Sequence, residues 1–190
     1  MSKPTNLLSG SGDVGFMEKV FESVHEFQKL GLIYEWAVSG SFAAYAYIRP
    51  TQTDDVDLMV VYPGTGFIID PSPLFKHAVK MGYPISSGDH ITIQGVPLQF
   101  LPAGTPLEED ALSKARCFCF GKTSVKFLGP EHLMAIMIQV GRTKDHERLL
   151  MMLNDAEYDH DKFDELVVKF GLSQQWRNFV EKYGWKSART

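Results

Sequence analysis

The stretch from Trp36 to Tyr62 constrains the fold of this chain more than any other. An apolar run, Trp36-Ala37-Val38, ends in Ser39-Gly40-Ser41; a helical pattern follows, and Asp55-Val56-Asp57 opens a second apolar run. Short apolar runs bounded by small and turn-forming residues read as buried strands, and a helix placed between two of them commits the chain to a sheet with helices packed on it. Tyr34 to Val38 is therefore expected as a strand, Phe42 to Ile48 as a helix that stops before Pro50, and Asp57 to Tyr62 as the next strand.

Around this unit the pattern stays mixed up to residue 128. Phe16, Val20, Val24, Phe27 and Leu30 recur at helical spacing up to Gly31, and Pro71 to Met81 suits a helix with Leu74, Phe75, Ala78 and Val79 inward. His90 to Leu101 reads as a hairpin turning at Gly95, Leu107 to Arg116 as a helix, and Cys117 to Leu128 as a hairpin around Gly121-Lys122. Beyond it only helical patterns remain, at 130–140, 144–154, 161–170 and 173–183. The expected organisation is a flexible leader over 1–14, an α/β core over 15–128, and a helical C-terminal extension over 129–190 that shares that core, since about 60 helical residues alone make a marginal domain.

Bulk properties narrow the function classes. A formal charge of -4 gives no global footprint for nucleic acid or anionic lipid. No stretch approaches the roughly 20 apolar residues of a membrane span, and the first residues lack the apolar core of a secretory signal. With only Cys117 and Cys119, two apart and expected to lie buried on one face of a strand, no disulfide framework is implied. A reducing, cytoplasmic setting without membrane partners is expected.

The chemistry lies in Gly40, Ser41, Asp55 and Asp57. Asp55 and Asp57 stand at i and i+2 on a strand, so both carboxylates face the same way and repel unless a cation intervenes. Mg²⁺ takes oxygen ligands and is commonly held by one or two carboxylates together with substrate phosphates. Gly40 and Ser41 lie where a strand passes into a helix, where backbone N–H groups can point at phosphate oxygens. A bare Asp-x-Asp is ordinary turn chemistry. Strand, Gly-Ser, helix and Asp-x-Asp in that order are far more specific.

That order resembles the nucleotidyltransferase-fold superfamily, the DNA polymerase beta-like group, whose motif is Gly-Ser or Gly-Gly, a spacer, then Asp-x-Asp; here thirteen residues separate Ser41 from Asp55. The run from Val38 to Tyr45, followed by Arg49, Thr51, Thr53 and Asp55-Val56-Asp57-Leu58, is most similar to minimal bacterial and archaeal members, including abortive-infection-type toxins. Gly129-Pro130-Glu131-His132-Leu133 and Gly141-Arg142-Thr143-Lys144-Asp145 resemble the downstream helix pair of those proteins. The resemblance implies a mixed sheet flanked by helices, an Mg²⁺ or Mn²⁺ cofactor on Asp55 and Asp57, a nucleoside triphosphate partner, and phosphate contacts from Gly40, Ser41, Arg142 and Lys144. It also implies transfer of a nucleoside monophosphate to a hydroxyl of protein, RNA or a small molecule.

Two departures qualify this. Where many active relatives carry a third carboxylate on a later strand, this chain has Gln99, which cannot act as a base. Where related toxins often have a lysine, it has Met137. Asp89 and His90 sit at an expected turn, where Gly88-Asp89 is ordinary chemistry. The alternative expectation is therefore a non-catalytic nucleotide-binding or regulatory relative, working with a cognate antitoxin or another protein partner. Asp159 before its helix reads as a cap, and Trp176, Phe179 and Tyr183 fall at core spacing.

Overall fold

The structure, a computed structural model, describes residues 11–49, 53, 55–64, 69–86 and 90–185, with side chains from residue 15 onward. Most of the leader, together with Thr51, Asp54 and Asp89, lies outside the described residues.

Among the described residues seven strands form one mixed sheet: β1 (Glu35–Val38), β2 (Val56–Val61), β3 (Ile85–Ser86), β4 (His90–Ile93), β5 (Val96–Pro102), β6 (Arg116–Phe120) and β7 (Thr123–Phe127), in the order β3-β4-β5-β2-β1-β7-β6. β1 runs antiparallel to β2 and parallel to β7, and β2 runs parallel to β5. The helices are α1 (Ser11–Lys29), α2 (Gly40–Ala44), α3 (Ser72–Lys80), α4 (Pro106–Ser113), α5 (Pro130–Val140), α6 (Thr143–Asp155), α7 (His160–Lys169) and α8 (Ser173–Tyr183). This is the mixed α/β architecture expected from the sequence, with β3 as a two-residue edge strand that carries too few residues to show alternation.

Register divides the sheet into two unlike faces. Trp36 pairs with Val60, Val38 with Leu58 and Phe127, Leu58 with Phe100, and Leu98 with Ile91, so one face is a continuous apolar surface. Helix α1 covers part of it through Met17, Val20, Phe21, Val24 and Phe27, and Phe21 lies 6.1 Å from the Trp36 ring and 5.1 Å from the Phe120 ring. Phe16 and Leu30, expected inward, are exposed; Met17 and Phe21 take their place because the buried stripe runs through 17, 20, 21, 24 and 27, a better helical series. Val79 of α3 is likewise exposed, leaving Leu74 and Ala78 as its buried residues.

The opposite face carries Ala37, Asp57, Met59, Gln99, Leu101 and His90, and packs against α2 and α4, on which α5 packs in turn. Cys117 and Cys119 share a face as expected, but an exposed one, because Phe118 and Phe120 take the inward positions of β6. The β4–β5 turn, Gln94-Gly95, has both φ angles positive (52° and 82°), as a two-residue hairpin turn matched to strand twist requires.

Helix α5 is buried over most of its length and packs on α2, α4, α6, α7 and α8. Buried apolar residues from Met17 through Leu133 to Phe179 form one cluster, so the C-terminal helices contribute to the same core as the sheet. At its start Glu131, 1% exposed, accepts from Arg116 at 3.1 Å, Lys162 at 3.0 Å and the Asp159 backbone N–H at 3.1 Å. Burial would push the Glu131 carboxyl up, but those donors hold it below the usual range. Asp159 also caps α7, accepting from the Lys162 N–H at 3.1 Å.

Candidate functional site

The site forms where β1 gives way to α2 alongside the start of β2. The Ser39 N–H donates to the Asp57 carbonyl at 2.8 Å, and the Ser39 hydroxyl reaches the same oxygen at 3.3 Å, fixing the β1–α2 turn against β2. Gly40 sits at φ +58°, and a Cβ there would come within 2.7 Å of the Asp57 Cγ. The glycine is needed because the Asp57 carboxylate occupies that space.

Asp57 is half-buried on the open face, and its carboxyl is raised above the usual range by burial and then by the neighbouring Asp55, with Lys144, Arg142 and His90 pulling the other way. Asp55 stands just before β2, its side chain 40% exposed; the Thr53 hydroxyl lies 3.2 Å from its carbonyl oxygen and 3.3 Å from Oδ1, and His90 Nε2 lies 3.5 Å from Oδ2. Two adjacent carboxylates, one of them driven toward its neutral form, make a donor set that a hard divalent cation would relieve. Among the described residues no group of three or more His, Cys, Asp and Glu is placed to hold a metal. Remaining ligands would have to come from phosphate and water, which suits Mg²⁺ or Mn²⁺ better than a closed protein cage.

Register settles what stands opposite Asp57. Gln99 is its partner across β2 and β5, and His90 is the partner of Gln99 across β5 and β4, so Asp57, Gln99 and His90 form one row on the open face. His90 is the first residue of β4 rather than part of a turn, and it turns toward Asp55. The long-range pairing that brings it there leaves no local trace in the sequence.

Helix α6 supplies positive charge. Arg142 and Lys144 both lie within electrostatic reach of Asp57, but Arg142 is spent locally: its Nε and Nη2 donate to the buried Asp145 carboxylate at 2.7 and 3.1 Å, and that pairing raises its own pKa. Asp145 also accepts from the Arg142 backbone N–H at 3.2 Å, so it caps α6. Arg148, which sequence reasoning did not single out, donates from Nη1 to the Ser41 hydroxyl. Its spacing of four from Lys144 on a helix was the one available signal.

α2 has only five residues, shorter than expected, and Tyr45 to Ile48 continue in turns. So short a helix has a small macrodipole, and attraction for an anion falls mainly to the side-chain cations. Beneath these groups lies a cavity of about 130 Å³ bounded by Ser41, Asp57, Arg148 and an apolar wall that includes Met59, Leu133 and Met137. Met137, 6% exposed, is thus part of the cavity wall, in keeping with its apolar side chain.

No family model matches the chain, and no curated protein matches it. Solved structures do. An antigenic nucleotidyltransferase-like protein from Paracoccidioides brasiliensis superposes with a TM-score of 0.56 at 17% identity, covering 90% of this chain and 89% of that one. The solution structure of the antibiotic-resistance factor ANT(2'')-Ia superposes with a TM-score of 0.51 at 16% identity, covering 91% of this chain and 98% of that one. At these identities the likeness establishes the fold: a nucleotidyltransferase-like mixed sheet flanked by helices. Among the described residues no helix is long and apolar enough to cross a membrane.

Proposed function

We propose that the chain binds a nucleoside triphosphate together with Mg²⁺ or Mn²⁺ and transfers its nucleoside monophosphate to a hydroxyl acceptor. The observation that carries this reading is the Asp57 carboxylate wedged against Gly40, beside Asp55 and bordering the same cavity as Ser41 and the α6 cations. Asp55 and Asp57 would hold the metal, which when bound neutralises charge on the phosphates and polarises them. Gly40 and Ser41, with Lys144, would hold the phosphates, while the Arg142 guanidinium stays paired with Asp145. In the transfer the acceptor oxygen forms a bond to the α-phosphorus, the α–β P–O bond breaks, pyrophosphate leaves, and the acceptor's hydroxyl proton passes to solvent water.

Gln99, opposite Asp57, cannot receive the acceptor's proton, and this favours a second reading: a nucleotide-binding or regulatory module, in a toxin–antitoxin pair or a similar complex. The fold shared with an antibiotic-resistance factor supports trying small hydroxylated molecules as acceptors beside protein and RNA. A cytoplasmic location belongs to the same proposal and fits the two free cysteines.

Labelled ATP, CTP, GTP and UTP, incubated with the protein, Mg²⁺ or Mn²⁺, and cell extract, separate the two readings. Label transferred to any acceptor, and lost in the Asp55→Ala/Asp57→Ala variant, supports the transferase. Metal-dependent binding without transfer supports the module.

A further inference from the structure

We propose that Arg148, with Ser41 and Lys144, forms the seat for the terminal phosphates, and that its guanidinium rather than that of Arg142 grips them. This rests on the nucleotide reading above and names the part of the site that receives the polyphosphate.

Three observations converge on Arg148. Its Nη1 donates to the neutral Ser41 hydroxyl, while its Nε is buried and has no hydrogen-bond partner. A buried donor left unpaired is costly, and more so on a charged group, so the unfilled Nε marks a place where an acceptor fits. Second, among the described residues no carboxylate lies within ion-pair distance of Arg148 or Lys144, although Arg142, Lys114, Lys162 and Lys169 each have one. Third, Arg148 and Lys144 stand four apart on α6 and border the same cavity as Ser39, Gly40, Ser41 and Asp57.

Arg142 shows what the open side of Arg148 can do. It grips Asp145 through Nε and Nη2, two N–H groups that match a planar or tetrahedral oxyanion. In Arg148 it is the Nε that is left without a partner. A phosphate arriving there would gain a charge-assisted pair of hydrogen bonds and keep Ser41 as a further donor, with Lys144 adding a point charge. No covalent step is involved.

The probe is inorganic tripolyphosphate without added metal, measured by calorimetry on the wild type and on Arg148→Met, Arg148→Lys and Arg142→Lys. The wild type should bind it, Arg148→Met should weaken binding roughly tenfold or more, Arg148→Lys should fall between, and Arg142→Lys should stay within about threefold. Should Arg148→Met fail to fold, Arg148→Lys and Ser41→Ala carry the same comparison, each expected to bind more weakly than the wild type. Wild-type affinity in the Arg148 variants, an equal loss in Arg142→Lys, or no binding by the wild type would overturn the proposal. Arg148-dependent tripolyphosphate binding, alongside metal–nucleotide binding that ignores Asp55 and Asp57, would instead leave this seat standing and remove the nucleotidyl-transfer reading.

Discussion

At the scale of single residues, the site is organised around one uncomfortable carboxylate. Asp57 packs where Gly40 leaves room, beside Asp55, and both burial and that neighbour favour its protonated form. Its folded pKa therefore lies above its unfolded value, near 3.9, so without metal the folded state is penalised once the pH exceeds that value and fully so above the folded pKa. Asp57→Asn is expected to raise the melting temperature of the metal-free protein at pH 7.5, with the difference vanishing as the pH falls below the ordinary carboxylate range. Thermal melts across that range check it. A destabilised Asn variant at neutral pH would mean that Asp57 is satisfied by the protein itself. Gly40, Ser41, Asp55 and Asp57 were legible because their spacing is local. Arg148 and His90 were not, since each reaches the site only through tertiary contact or strand pairing.

At the scale of elements, the sequence located the helices well but assigned some faces wrongly. α5 and α8 match the expected spans, whereas two exposed residues, Phe16 in α1 and Leu30 just past its end, were counted into the apolar stripe. Phe21, fully buried between Trp36 and Phe120, should cost about 3–5 kcal/mol on truncation to alanine, while Phe16→Ser should change stability by roughly 0.5 kcal/mol or less. Urea denaturation of the two variants separates them. The start of α5 makes a second, pH-dependent case. His132 is fully buried; its Nε2 meets Asp110 at 2.9 Å and its Nδ1 has no partner, which fits a neutral ring donating from Nε2. Burial lowers its pKa, Asp110 offsets this only in part, and Lys162 and Lys114 push the same way as burial. The stability it contributes is then complete above its unfolded pKa, about 6.5, and is lost as the pH falls below that. Melts of the wild type should decline between pH 6.5 and 5 more steeply than those of His132→Gln, whose amide can still donate to Asp110; parallel curves would contradict this.

For the whole molecule, the fold explains why the two halves of the site need each other. The sheet and α2 supply the carboxylates and Ser41, and α6 supplies Lys144 and Arg148, held in place by α5 and by a core that runs on to Phe179. The mixed sheet, the order of its helices and the Asp-x-Asp position could be read from periodicity and from the motif. Strand order could not, because the pairing of β2 with β5 and of β1 with β7 joins segments far apart in the chain. That pairing places Gln99, an amide and not a third carboxylate, opposite Asp57. The most direct test of the central claim is calorimetric titration of Mg²⁺ with each of the four nucleoside triphosphates into the wild type and the Asp55→Ala/Asp57→Ala variant. Metal-dependent binding of at least one nucleotide by the wild type, abolished in the variant, is the expected result; equal binding by both proteins, or none by the wild type, would contradict it.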